Sequence, residues 1–369
     1  MKKFAVIALA LLFASNLFAE RVAATDSRIV FVGRALMDNG SLRFDWPSSY
    51  FRIKFSGKDL TMKVSDTKRN FYNVWIDAPM SAAPHRVIEV TGNDTIIELV
   101  DPLYLKQSKI KEHEVVIQKR TEAGCGTTTV HAFATNGKFL QASPLKVRQL
   151  EFIGDSYTCG YGADATSRRE PFRDETENAS HSYASIVSRY FGADYVTIAH
   201  SGRGVARNYA SKFPWELVTD LYRFTLDRDS TQEHYWDASS SDFKPAMTII
   251  YLGANDFSTS MLPSYETFYK EYLRLMGYIK SNYGEDHPIL CVATKTHEYL
   301  FRYIRDMVNT CGLKHVDYLG YFPAQHHNTD EDLGAAWHPN YNAHQKIAYS
   351  LIPYIATITG WGLQDMPVK

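Results

Sequence analysis

Ser156 and His338 are the residues whose types and surroundings best fit nucleophilic chemistry. The block Gly154-Asp155-Ser156-Tyr157-Thr158-Cys159-Gly160-Tyr161-Gly162 directly follows an apolar run, Val147–Ile153. Gly154 permits a tight exit from a strand, which sets Ser156 at the start of the next helix. Backbone N–H groups there lack intrahelical partners and favour negative charge. A serine so placed can attack a carbonyl while its own N–H stabilises the resulting oxyanion. The plainer reading is that Asp155 or Ser156 simply caps the helix. A serine hydroxyl is a weak nucleophile at neutral pH and needs a base. Trp337-His338-Pro339-Asn340 supplies a candidate, because Pro339 disfavours helix at His338 and leaves its ring on a loop. His344 falls inside the following helical segment and reads as a packing residue.

Two more loops follow strand-like runs: Ser201-Gly202-Arg203-Gly204 and Gly253-Ala254-Asn255-Asp256. In open α/β sheets, ligands bind beyond the carboxyl ends of the strands. Gly202 can offer a backbone N–H and Asn255 a side-chain N–H. With the N–H of Ser156 they make a three-donor oxyanion hole. Each loop taken alone reads as an ordinary turn; their joint placement is the signal. Among the aromatics near these blocks, Tyr157, Tyr161 and Trp337, the sequence singles out Trp337 and Tyr157 as candidate substrate-binding residues. Trp236, in the long segment Pro214–Pro245, is a candidate for a rim or lid.

Two kinds of element surround these motifs. From Val22 to Pro144 the chain reads as short strands of period two. Phe51, Ile53 and Phe55 alternate with polar residues, as do Leu60, Met62 and Val64 beyond Gly57, which predicts a hairpin with one buried and one wet face per strand. Regular short strands without convincing helices predict an all-β sandwich of jelly-roll type. After Leu145, apolar runs alternate with helical patterns. Ser264–Tyr283 carries Tyr265, Phe268, Tyr272, Leu275, Met276 and Ile279 at helical spacing, with Gly284 as its cap. A parallel sheet covered by helices is expected, closed by a helix over Asn340–Ile358. The predicted organisation is a signal peptide at 1–19, a β-sandwich at 20–146 and an α/β catalytic domain at 147–369.

These blocks, in this order, resemble the SGNH hydrolases, a superfamily named for its serine, glycine, asparagine and histidine. GDSYTCGYG, SGRGVARNY, LGANDFS and WHPN behind a β-sandwich are similar to carbohydrate esterase family 2. The resemblance implies Ser156 as nucleophile, His338 as base, and Ser156, Gly202 and Asn255 as oxyanion donors. It also implies deacetylation of sugar hydroxyls, notably the 6-position of gluco- or manno-configured residues in plant polysaccharides. One departure stands out. The superfamily places an aspartate two or three residues before the histidine, where this chain has Ala336 and Ala335. Asp332 and Asp330 lie further upstream, so a Ser–His dyad with a backbone carbonyl behind the imidazole is expected. Two other readings stay open: a glycan-binding protein with a weak or inactive esterase domain, and a lipase or thioesterase on the same scaffold.

Composition narrows the partners. A net charge of −1 over 369 residues gives no basic stripe for nucleic acid. Lys2 and Lys3 precede the apolar run Phe4–Ala14, which is shorter than the ~20 residues that span a bilayer. That pattern predicts export, secreted or periplasmic, with no membrane insertion after cleavage. The four cysteines, Cys125, Cys159, Cys291 and Cys311, include no CxxC, and no HExxH occurs, so neither a metal nor another cofactor is expected. A Cys291–Cys311 bridge is left open.

Overall fold

The computed structural model describes residues 20–210, 216–227, 231, 233–294, 297–321, 329–364 and 368. The export segment expected at 1–19 lies outside them. Between Glu20 and Leu140, two antiparallel sheets pack face to face. One runs in the order Leu36–Asp38, Ser41–Phe44, Thr128–Thr135, Thr61–Asp66, Thr95–Glu98, with Glu20–Ala23 also paired to Thr128–Thr135. The other runs Lys138–Leu140, Tyr50–Ser56, His113–Lys119, Arg69–Ile76, Arg86–Thr91, with Val30–Val32 also paired to Tyr50–Ser56. Phe44, Phe51, Ile53, Phe55, Met62, Val64 and Phe133 fill the space between them.

The hairpin predicted across Gly57 does not form. Tyr50–Ser56 pairs with His113–Lys119, whereas Thr61–Asp66 pairs with Thr128–Thr135 in the opposite sheet. Both apolar stripes enter the same core from opposite sides. Alternation reports which face is buried, not which strand is the partner. Nor is the outer face of Tyr50–Ser56 wet throughout, because Tyr50 and Arg52 are buried against the second domain. A short helix, Pro102–Gln107, was also not expected. Asp101 starts it by accepting the N–H of Leu103, with Pro102 in the first turn.

The second domain holds a five-stranded parallel sheet in the order Asp194–Ala199, Gln149–Gly154, Met247–Tyr251, Ile289–Thr294, Val316–Tyr321. The first of these strands in the chain, Gln149–Gly154, lies between its next two successors. That reversal of strand order opens a crevice at the carboxyl ends, the usual place for a ligand in open α/β sheets. The three loops singled out above leave these three adjacent strands. Ser264 caps the helix Tyr265–Tyr283, which buries Phe268, Tyr272, Leu275, Met276 and Ile279, and Gly284 ends it at φ +100°. Asn340 caps the closing helix, Tyr341–Thr359.

The two domains share a buried polar interface. Arg52 of the sandwich grips Asp194 through two nitrogens at 2.8 Å each, and Tyr50 adds its hydroxyl at 2.8 Å. Gln118 donates to the hydroxyl of Tyr195 at 2.6 Å, and Thr197 to the carbonyl of Pro47 at 2.6 Å. The Trp236 ring lies 5.0 Å from the guanidinium of Arg34, which itself pairs with Glu151 in the interior. Trp236 therefore packs at the domain junction. Parts of the Pro214–Pro245 segment lie outside the described residues. Cys125, Cys159, Cys291 and Cys311 are all free thiols.

Candidate active site

Gly154 ends its strand beneath the first turn of the helix Ser156–Cys159. A Cβ there would stand 1.9 Å from Thr158 Oγ1, so only glycine lets that turn sit on the strand end. Asp155 caps the turn by accepting the N–H of Tyr157. Ser156 is left nearly buried, at 7% exposure, with its N–H donating to no protein acceptor among the described residues. The hydroxyl of Ser156 lies 2.9 Å from His338 Nε2. His338 Nδ1 lies 3.0 Å from the carbonyl oxygen of Ala336. A carbonyl can only accept, so Nδ1 carries the proton and Nε2 is the acceptor facing Ser156. This is the tautomer a general base requires.

The backbone before His338 explains how a carbonyl comes to hold it. Ala336 and Trp337 both adopt left-handed conformations, at φ +50° and +64°. Non-glycine residues rarely adopt that region, and such strain gathers at functional sites. The double turn brings the Ala336 carbonyl back under the imidazole. Asp332 and Asp330 are engaged elsewhere. Asp332 binds Lys346 Nζ at 2.7 and 2.6 Å, and Asp330 binds Arg168 at 2.7 Å. Tyr161 leans on the His338 ring at 4.3 Å, and Tyr157 meets its edge at 5.8 Å. Burial among these rings pulls the His338 pKa below its ordinary value, and the carbonyls of Ala336 and Ala335 pull back less strongly.

The candidate oxyanion donors are placed unevenly. Gly202 sits at φ +78° and its N–H has no protein acceptor among the described residues. A Cβ there would meet only Tyr209 Cβ at 3.8 Å, so backbone conformation rather than crowding selects glycine. Asn255 lies beside the nucleophile loop, but both of its amide hydrogens are used: Nδ2 donates to Asp155 Oδ2 at 3.0 Å and to the Arg203 carbonyl at 2.9 Å. To serve as a third donor it must share one of those hydrogens. The Asp155 carboxyl is pushed up to about 7, chiefly by burial. Asp256, the last residue of the third block, has no role that its spacing suggests, but it accepts the N–H groups of Val205, Ala206 and Arg207 and so shapes the Gly202 loop. His200, directly before the Ser201 block, is bound to Asp227 at 2.5 Å.

Of the two aromatic candidates, Trp337 is 60% exposed beside His338, with the Arg168 guanidinium over its ring at 4.3 Å. Tyr157 is half-buried, packed edge-on against Tyr251. A polar depression of about 310 Å³, lined by Thr166, Ser167, Arg168, Arg169 and Asp330, adjoins Trp337. His344 is fully buried, and its Nδ1 accepts the N–H of Tyr183.

A serine on a helix start, a histidine from the last loop and a parallel sheet together match the arrangement of a hydrolase of the GDSL class. Residues 150–351 match the GDSL-like lipase/acylhydrolase model, and residues 31–144 match the carbohydrate esterase 2 N-terminal model. The chain belongs to carbohydrate esterase family 2, a family of carboxylic ester hydrolases. It is 33% identical over 325 residues to the cellulase/esterase CelE of Acetivibrio thermocellus, an alignment spanning 86% of this chain but 38% of that protein. It is 27% identical to an acetylxylan esterase/glucomannan deacetylase of Cellvibrio japonicus, covering 96% of this chain and 98% of the other. A family two carbohydrate esterase from Clostridium thermocellum in complex with cellohexaose superposes with a TM-score of 0.80 at 29% identity, covering 90% of this chain and all of that one.

Proposed function

We propose that this chain is a secreted esterase that removes acetyl groups from carbohydrate through a Ser156–His338 dyad. The observation that carries the reading is the 2.9 Å contact between Ser156 Oγ and His338 Nε2, backed by the Ala336 carbonyl. Ser156 attacks the ester carbonyl as Nε2 takes its proton. The N–H groups of Ser156 and Gly202 receive the oxyanion, with Asn255 sharing a hydrogen. His338 returns the proton to the sugar oxygen as the bond between that oxygen and the acyl carbon breaks, leaving acetyl on Ser156. A water, deprotonated by His338, then attacks that ester and releases acetate as the proton returns to Ser156. The relatives named for acetylxylan and glucomannan support an acetylated polysaccharide as substrate. Trp337, flat and exposed beside the dyad, gives an apolar sugar face a surface to stack on. The 6-position of gluco- or manno-configured residues is the proposed target.

Ser156→Ala tests the reading directly. Removing the nucleophile of a comparable hydrolase costs ~10⁶ in kcat. The same order of loss is expected here on 4-nitrophenyl acetate and on acetylated oligosaccharide, with an unchanged circular dichroism spectrum. Near-normal turnover by the folded variant would mean that the nucleophile lies elsewhere.

A further inference from the structure

The second domain does not build the crevice alone. After the strand His113–Lys119, the sandwich sends the segment 120–126 into the catalytic domain. Glu122 on this segment is 6% exposed. Its Oε2 accepts the N–H of Ser201 at 2.6 Å and the thiol of Cys159 at 3.3 Å. Its own N–H donates to Glu177 Oε2 at 3.2 Å. One carboxylate thus joins two pieces of the site. Cys159 is the last residue of the nucleophile helix, and Ser201 immediately precedes Gly202.

We propose that Glu122 is a positioning residue for the oxyanion loop, so that a carboxylate from the sandwich domain sets the Gly202 N–H on which turnover depends. This inference rests on the dyad reading above. Gly202 at φ +78° aims its N–H correctly only if the preceding peptide is fixed, and Glu122 holds that peptide by its N–H. The backbone ties before Gly202 and Arg203 are longer, with His200 N–H to the Gly154 carbonyl and Arg203 N–H to the His200 carbonyl both at 3.3 Å, while on the far side Tyr209 N–H reaches the Gly202 carbonyl at 2.8 Å. At 2.6 Å the bond from Ser201 N–H to Glu122 is the shortest hold on the peptide before Gly202.

Two buried ionisable neighbours pack around Glu122. Burial and the neighbouring Glu122 carboxylate push the Glu177 carboxyl well above its usual range. Lys119, fully buried, donates from Nζ to the carbonyls of Thr121 and Glu122. Oxygen and sulfur atoms of Glu122, Cys159 and Glu177 lie within 4.8 Å of one another. The bonds that Glu122 makes to Ser201 and Cys159 give this cluster a structural task as a clamp.

Three variants test the clamp, run beside Ser156→Ala. Glu122→Gln keeps an acceptor oxygen at the same reach but loses the charge. Glu122→Asp keeps the charge but falls one methylene short of Ser201. Losing one oxyanion donor costs about 10²–10³ in kcat. Glu122→Asp, and Glu122→Ala where it folds, are therefore expected to lose about 10² in kcat with KM changed less than threefold. Glu122→Gln should recover to within about tenfold of the parent. Active-site titration with a fluorophosphonate counts competent sites, so kcat is expressed per folded molecule. The order Gln above Asp supports the clamp. Asp equal to or above Gln, or a loss carried in KM, overturns it. Retained activity in Ser156→Ala would overturn the dyad and this inference together, whereas a dead Ser156→Ala with unaffected Glu122 variants overturns this inference alone.

Discussion

At the scale of single residues, the missing acid is the point of interest. In serine proteases, losing the aspartate behind the histidine costs ~10⁴ in kcat, in part because the imidazole then takes the wrong tautomer. Here the Ala336 carbonyl performs the tautomer-setting task, since it can only accept from Nδ1. It adds no full negative charge, and burial leaves His338 with a lowered pKa. A base must be neutral to act, so activity is present above that pKa and lost as pH falls through it. The acid limb of kcat/KM should have its midpoint below the ordinary 6.5 of histidine. Asp332→Asn should share this limb and keep kcat within a few-fold, because Asp332 serves Lys346. A fall approaching ~10⁴ in a folded Asp332→Asn would make that aspartate a third catalytic member.

At the scale of elements, the site depends on how strand ends meet helix starts. Gly154 admits the first turn of the nucleophile helix because nothing projects from its Cα. The space a Cβ would need is taken by Thr158 Oγ1, which is itself bonded to the Tyr183 hydroxyl at 2.7 Å. Gly154→Ala must therefore displace the helix that carries Ser156. A misplacement of about 1 Å can cost ~10² in rate. The variant is expected to lose about that factor in kcat and to melt at lower temperature than the parent. Steady-state kinetics with a thermal melt checks both, and a variant with parental kcat would show that the turn has room to move. The loop before His338 illustrates the same dependence: two consecutive left-handed residues, neither of them glycine, persist because the surrounding loops fix them. Ala336 N–H donates to Glu170 and Trp337 N–H to Arg168, both through carbonyls.

At the scale of the whole molecule, the sandwich and the catalytic domain share a buried junction. Tyr50 and Val32 of the sandwich belong to the same apolar cluster as Phe152, Tyr183 and Leu351 of the catalytic domain. The Arg52–Asp194 pair lies inside this junction, with the two side chains 6% and 0% exposed. Breaking a buried pair by removing one partner costs about 3–5 kcal/mol, because the remaining charge stays desolvated. Arg52→Ala should lower unfolding free energy in urea by about that amount, with both domains unfolding in one transition. Two separate transitions in the parent protein would show that the domains are thermodynamically independent.

Residue patterns alone marked the candidate site residues. Ser156, Gly202, Asn255 and His338 stood in loops after strand-like runs or before a helix, and a strand's length and apolar character are local properties. The two architectures were legible for the same reason, since period two and period 3.6 are written into neighbouring residues. Pairing was not: Phe51–Phe55 and Leu60–Val64 looked like one hairpin but entered different sheets, because alternation carries no partner identity. That a backbone carbonyl stands behind His338 followed from the missing aspartate, but that it is Ala336's did not, because its position depends on φ at Ala336 and Trp337. The engagement of Asn255 by Asp155 and the reach of Glu122 to Ser201 join residues 100 and 79 positions apart. Only the folded chain decides such contacts, because they arise where separate elements converge and no local pattern encodes that convergence.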